Sequence, residues 1–185
     1  MSNELPTYML SYRSIWEKDL VIPSPSGKYA LLPPGRHKAT MAEIHDLFVL
    51  QAPFTKERQL IFDAFEVWVA RMSSMIPTFR LWVDGGFVTH RKWAAPDDID
   101  VMILLKASDL NSLSPNDQII FESLLTQELG TGVRRQPMGG LVDGFHTVRG
   151  NVAQTVYWDT FWSQVHDQNR KELTGVSKGY LEVTV

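Results

Sequence analysis

The sequence predicts an α/β domain of the α+β type, in which helices flank a mixed sheet. Residues 79–84 and 99–105 are two runs too apolar for half-exposed strands, so both belong in the middle of a sheet. Helical patterns alternate with the strands in the order α-β-β-α-β-α-β. A chain of 185 residues holds one well-buried core. We therefore predict a single domain over 37–185, preceded by an N-terminal arm over 1–36.

The arm is predicted to be β-hairpin-like. Residues 20–22 and 29–32 are short apolar runs on either side of a turn rich in Pro and Ser. Pro33-Pro34-Gly35 then stops any regular element.

Helix starts are marked by two N-terminal caps. Thr40 and Glu43 have the spacing of a capping box, and Ser114 precedes Pro115 as an N-cap precedes the first helical residue. Spacings of three and four between apolar residues supply the rest of the pattern. The predicted helices span 40–48, 56–75, 114–129 and 153–165. Strands over 141–148 and 180–185 complete the sheet.

The composition excludes several classes of function. There are 18 basic and 21 acidic residues, a balance that disfavours wholesale coating of nucleic acid. The absence of Cys removes disulfides, thiolate zinc sites and cysteine nucleophiles, and it fits a reducing compartment. The first ten residues lack signal-peptide character, and no apolar run reaches the ~20 residues that span a bilayer. We expect a soluble cytoplasmic protein without a membrane partner.

The residues that indicate chemistry lie around the two apolar strands. Asp98 and Asp100 alternate at the start of the second strand, so both side chains point to one face. Two such carboxylates repel each other unless a cation lies between them, and Mg²⁺ commonly binds one or two carboxylates together with substrate phosphates. Taken alone, an Asp-x-Asp is usually a solvated strand end. Its place in a buried strand favours a metal site.

The first strand ends in a predicted phosphate cradle. Gly85 and Gly86 have no Cβ, so their N–H groups can approach an anion closely. Thr89 and Lys92 follow within about one turn and are candidate phosphate donors, as is Arg91. A lone Gly-Gly is usually only a turn, and the nearby aspartates are what favour the binding site.

The pattern of Gly-Gly, eleven residues, Asp-Ile-Asp and an apolar strand resembles the DNA polymerase beta-like nucleotidyltransferase superfamily. More narrowly, residues 31–148 look like a group of small bacterial and phage nucleotidyltransferase-like proteins. The resemblance implies a minimal nucleotidyltransferase fold and a third carboxylate on a later strand, for which Asp143 is the candidate. An Asp143-Gly144 turn is the structural alternative.

The resemblance implies transfer of an NMP group from an NTP such as ATP to a hydroxyl of RNA, a protein or a small molecule. Asp98, Asp100 and Asp143 would hold Mg²⁺ or Mn²⁺ in a two-metal arrangement, with Arg134, Arg135, Arg170 and Lys178 as candidate cations for the leaving pyrophosphate. Similar minimal enzymes occur in toxin–antitoxin systems, so the expected protein partners are a second copy or an antitoxin. Two alternatives stay open: an inactive binding module of the same fold, and a metal-dependent phosphohydrolase.

Overall fold

The computed structural model describes residues 22–130 and 132–185, so residues 1–21 of the predicted arm lie outside the described part of the chain. Most of the first predicted strand, 20–22, falls there. The remainder of the arm forms a turn closed by a bridge between Ser26 and Leu31. The predicted α+β class is confirmed, with one mixed five-stranded sheet and helices on both of its faces.

Helices are named in chain order over the described residues. They are α1 (Met41–His45), α2 (Thr55–Ser73), α3 (Ala107–Asn111), α4 (Pro115–Ser123) and α5 (Val152–Trp162). A π-helical turn, Asp46–Leu50, extends α1. The capping box of Thr40 and Glu43 forms as predicted. None of the helices in the described ranges is both long enough and apolar enough to cross a membrane.

Strands are named in the same way. They are β1 (Gly35–Lys38), β2 (Arg80–Asp84), β3 (Ile99–Leu105), β4 (Gln127–Leu129), β5 (Val133–Arg135), β6 (Val142–Val148), β7 (Gln164–His166), β8 (Glu172–Ser177) and β9 (Gly179–Thr184). The central sheet has the order β1-β9-β2-β3-β6. β2 runs antiparallel to β3 and β9, whereas β3 and β6 are parallel. β4–β5 and β7–β8 form two small hairpins.

The two faces of the sheet are covered differently. On one face, Leu81, Val101 and Ile103 join a large core built with residues of α1, α2 and α4. On the other face, Trp82 and Met102 pack in a smaller cluster that contains Trp162 of α5. Alternation along β2 and β3 sends even-numbered residues to the α5 face, which is therefore the face that carries Asp84 and Asp100.

Three predicted boundaries are wrong, and the reason is tertiary pairing. The helix predicted over 153–165 ends at Trp162, because Gln164–His166 forms a hairpin with β8. The helix predicted over 114–129 ends at Ser123, because residues 127–129 form a hairpin with β5 and the Thr126 N–H donates to Gly144 O at 2.8 Å. Pro33-Pro34-Gly35 does not prevent a strand, since β1 starts at Gly35 and pairs with β9. The sequence patterns also missed α3, β4, β5, β7 and β8.

Candidate functional site

Three aspartates lie side by side across adjacent strands. The register pairs Asp84 of β2 with Asp100 of β3, and Asp100 with Asp143 of β6. Neighbouring strands are ~5 Å apart, and the three side chains share the α5 face. We call Asp84, Asp100 and Asp143 the carboxylate row. Asp98 stands just before β3, close enough to Asp100 for its charge to raise the pKa of that carboxyl, and it adds a fourth carboxylate.

Each end of the carboxylate row is held by a cation. Lys178, just before β9, forms an ion pair with Asp84, and both side chains are buried. At the other end, Arg134 Nη2 donates to Oδ1 and Oδ2 of Asp143 at 2.9 and 2.7 Å. The Thr126 hydroxyl also donates to Asp143 Oδ1, at 2.6 Å. Both outer carboxylates are therefore neutralised by side chains of the protein.

The centre of the row is different. Within the described residues, Asp100 has no hydrogen-bond or ion-pair partner. Burial raises its pKa to about 8, and the nearby charges of Asp98 and Asp84 act in the same direction. Asp98 accepts a hydrogen bond from Gln136 Nε2 at 2.7 Å, and burial raises its pKa as well. The central pair of carboxylates therefore lacks a compensating cation.

The loop of residues 85–89, which we call the glycine loop, packs directly against the row. Gly85 has φ +85°, and a Cβ at this position would collide with Asp100 Oδ2. At Gly86 an added Cβ would lie 2.8 Å from the Arg91 guanidinium. The Thr89 hydroxyl donates to Gly86 O at 2.8 Å. Gly85 is thus required by its positive φ and by the close approach of a carboxylate, whereas Gly86 gives the Arg91 guanidinium room to lie against the loop.

Arg58 of α2 holds the glycine loop in place through hydrogen bonds to its backbone. Its guanidinium is fully buried and donates to Phe87 O and Thr89 O, each at 2.6 Å. It also donates to Phe48 O and Pro53 O, so all its acceptors are backbone carbonyls. Burial lowers the pKa of Arg58 to about 10, with a smaller effect from Arg91. The loop is therefore tied to the helical layer by a buried charge.

A pocket of about 260 Å³ opens beside the row and the loop. Asp84, Asp100, Gly85 and Gly86 line one side, together with the cations Arg91 and Lys178. The aromatic side chains Tyr29, Trp93 and Phe161 line the rest of the mouth, and Trp93 and Phe161 are 43% and 48% exposed. The pocket is thus lined by charged side chains on one side and by aromatic rings on another.

The predicted site residues divide into three groups. Asp100, Gly85, Gly86 and Thr89 line the pocket, although the Thr89 hydroxyl is already engaged with Gly86 O. Asp98 and Asp143 do not line the pocket, but their charges act on Asp100; Asp143 is buried and Asp98 is partly exposed. Lys92 is exposed and lines a separate depression with His90 and Trp93, so it does not join the others.

Sequence reasoning missed Asp84, Arg58 and Trp93, and it gave Lys178 only as one of four candidate cations. A signal existed for Asp84, because it stands directly before Gly85 at the end of an apolar strand. Of the other candidate cations, Arg134 pairs with Asp143. The pKa of Arg91 is lowered mainly by burial. Asp97 and Asp98 act to raise it, and the nearby charge of Arg170 has a smaller lowering effect.

Gly144 is explained by packing rather than by a turn. Asp143 and Gly144 lie inside β6, where a Cβ on Gly144 would be 2.8 Å from Leu124 O and 3.5 Å from Trp68 Nε1. Trp68 Nε1 donates to Leu124 O at 2.7 Å in this space. The glycine therefore makes room for a hydrogen bond between α2 and the end of α4, while Asp143 keeps a regular strand position.

The carboxylates of the row offer limited room for a divalent cation. In the described part of the chain, no group of three or more His, Asp or Glu side chains is arranged to hold a metal ion. Asp84 and Asp143 are already paired with Lys178 and Arg134. Asp98 and Asp100 remain as two oxygen donors without a cation, and two carboxylates with water are a usual set for Mg²⁺. This pair fits the group that the sequence predicts.

Comparison with curated proteins and with solved structures gave no significant match. A family model does match, over residues 25–184, and that range contains every residue of the site described above. The family is described as a family of unknown function, DUF6932. Since the match covers most of the chain, the protein belongs to the DUF6932 family.

Proposed function

We propose that the protein is a Mg²⁺- or Mn²⁺-dependent nucleotidyltransferase, which transfers an NMP group from an NTP to a hydroxyl acceptor. The observation that carries the proposal is the unpartnered Asp100, next to Asp98 and packed against the backbone of Gly85. A partly buried carboxylate that pairs with no cation among the described residues is costly for a fold unless function requires it. Its contact with a glycine loop favours phosphate chemistry.

The charged side of the pocket suits a triphosphate. Gly85 and Gly86 line the pocket without side chains, and Arg91 and Lys178 add positive charge at the same wall. Arg91 already donates to Ala94 O and Ala95 O at 3.2 and 2.8 Å, which holds its guanidinium in place. These groups would bind the phosphates and balance the charge of the leaving pyrophosphate.

The aromatic side of the pocket suits a nucleobase. Tyr29, Trp93 and Phe161 offer flat faces at the mouth, and stacking on aromatic side chains tolerates any base. This wall favours a nucleotide over a simple phosphate ester, which would leave the exposed Trp93 without a partner. It does not select one of the four bases.

The proposed reaction is an in-line displacement. The acceptor oxygen forms a bond to the α-phosphorus while the bond from that phosphorus to the bridging oxygen of the β-phosphate breaks, and pyrophosphate leaves with the electron pair. The hydroxyl proton passes to a carboxylate of the row. Asp98 and Asp100 would hold the divalent cation, which supplies charge neutralisation at the phosphates when bound. Arg58 keeps the glycine loop in position throughout.

Label transfer tests the proposal. Protein is incubated with each α-labelled NTP, Mg²⁺ or Mn²⁺, and total RNA or cell lysate, and labelled acceptors are separated by electrophoresis. We expect label to reach an acceptor with wild-type protein and to be lost with Asp98→Ala plus Asp100→Ala. Transfer that survives the double substitution would refute the proposed site.

An inactive binding module is the second candidate, and the cation pairs at Asp84 and Asp143 favour it because they leave fewer carboxylates for metal. Calorimetry combined with the label-transfer assay separates the two. A module binds NTP without label transfer, whereas the proposed enzyme shows both.

A further inference from the structure

We propose that Lys178 and Arg134 are built-in cations at the two ends of the carboxylate row, so that the site takes a single divalent cation, on Asp98 and Asp100. This inference rests on the proposed function, because it concerns the cation of the same site. It differs from the two-metal arrangement that the sequence resemblance implies.

At the first end, Lys178 takes the place of a metal ion on Asp84. Their side chains are only 10% and 6% exposed, and the Lys178 ammonium contacts Asp84 Oδ1 directly. A divalent cation on Asp84 would displace the Lys178 ammonium and leave that charge unpaired at a site that is largely shielded from solvent. Lys178 also lines the pocket beside Gly85 and Gly86, where its charge faces the proposed phosphates.

At the other end, Arg134 takes the place of a metal ion on Asp143. An ionised carboxylate has about four acceptor positions. Three of them are used here, since Arg134 Nη2 donates to both oxygens and Thr126 Oγ1 donates to Oδ1. The Thr126 hydroxyl is itself fixed, because it accepts from the Gly144 N–H at 3.1 Å. Asp143 is therefore oriented and neutralised without a metal.

The centre of the row has the opposite character. Asp100 has no partner among the residues that the structure describes, and Asp98 has only the neutral amide of Gln136, at 2.7 Å. With all four carboxylates ionised, as in a metal-bound site, Lys178 and Arg134 leave two negative charges in excess. The opposite charges of Arg91 and Asp97 interact nearby, so that pair adds no net charge. One divalent cation therefore neutralises the site, and a second would meet no remaining negative charge.

The test counts bound Mn²⁺ by electron paramagnetic resonance, since the signal of free Mn²⁺ falls as the ion binds. The proteins compared are wild type, Arg134→Gln and the control Arg135→Gln, whose side chain belongs to the same strand and is exposed. We expect one Mn²⁺ per chain for wild type and control. Arg134→Gln frees Oδ2 of Asp143, leaves only the Thr126 hydroxyl on Oδ1, and raises the excess charge to three. One negative charge then remains after the first Mn²⁺ binds, so this variant should bind two Mn²⁺.

The Arg134 side chain is 48% exposed, so Arg134→Gln should fold, which circular dichroism verifies. Two Mn²⁺ per wild-type chain, or one per Arg134→Gln chain, would overturn this inference and leave the proposed function intact. No bound Mn²⁺ in wild type would overturn both. Lys178→Met provides the same test at the other end of the row if it folds, with a second Mn²⁺ expected there too.

Discussion

Replacement of Asp100 by Asn should stabilise the metal-free protein at alkaline pH. The carboxyl of Asp100 has a pKa of about 8 in the folded chain, compared with 3.8 as its ordinary value. The folded state therefore binds this proton more tightly than the unfolded state. Its contribution to stability is complete below about pH 4, and it is lost progressively as the pH rises through the folded pKa near 8. Asn carries no such penalty.

The magnitude follows from the pKa difference. At about 1.4 kcal/mol per unit, a rise of about four units sets an upper limit of about 6 kcal/mol. Water penetration and an effective dielectric constant of about 20 reduce this to about 2 kcal/mol. For a chain of this length, that corresponds to about 4–8 °C in Tm. The melting-temperature advantage of Asp100→Asn over wild type should therefore grow by at least that amount between about pH 4 and about pH 9, a range that spans the titration of Asp100 in both states.

The assay is thermal unfolding followed by circular dichroism, with EDTA present. Asp63→Asn, an exposed aspartate of α2, is the matched control and should track wild type at every pH. When Mg²⁺ replaces EDTA, the Tm of wild type should rise and that of Asp100→Asn should not. An advantage that is the same at both pH values would refute the assignment of Asp100 as a buried, uncompensated carboxylate.

Three further substitutions test the supports of the site. Gly85→Ala should lower the free energy of unfolding by about 1–3 kcal/mol and abolish Mn²⁺ binding, because the new Cβ would collide with Asp100 at a position of positive φ. Urea unfolding and Mn²⁺ titration measure the two effects. The control Gly130→Ala, where the added Cβ meets open space, should change neither quantity. Arg58→Met should cost about 3–5 kcal/mol in urea unfolding, since four carbonyls lose a buried donor, whereas the exposed Arg71→Met should cost little. Gly144→Ala should lower the Tm by several degrees through its 2.8 Å contact with Leu124 O, and an unchanged Tm would contradict that packing.

The sequence predicted the parts of the site that depend on local pattern. Alternation along one strand puts Asp98 and Asp100 on a common face, and the apolar runs identified β2 and β3 as central strands. Asp143 was found through a resemblance and a predicted strand, and the register then places it beside Asp100. These features need only short-range information.

The parts that were missed depend on long-range pairing. β9 enters the sheet between β1 and β2, and this brings Lys178 to Asp84 across 94 positions of sequence. The spacing of apolar residues along the chain does not reveal which strands pair or in which register. Because Lys92 follows the two glycines within about one turn, it was expected to contact the phosphates. The loop after Thr89 instead directs Arg91, rather than Lys92, into the pocket. Side-chain direction in an irregular loop follows its backbone, which the sequence alone did not specify.

The central claim is that the pocket binds an NTP together with a divalent cation held by Asp98 and Asp100. Calorimetric titration with a non-hydrolysable NTP, with and without Mg²⁺, measures this directly. We predict tight binding only with Mg²⁺ in wild type, and at least a tenfold loss of affinity, about 1.4 kcal/mol, in Asp98→Asn and Asp100→Asn. Equal affinity with and without Mg²⁺, or unchanged affinity in both variants, would contradict the account.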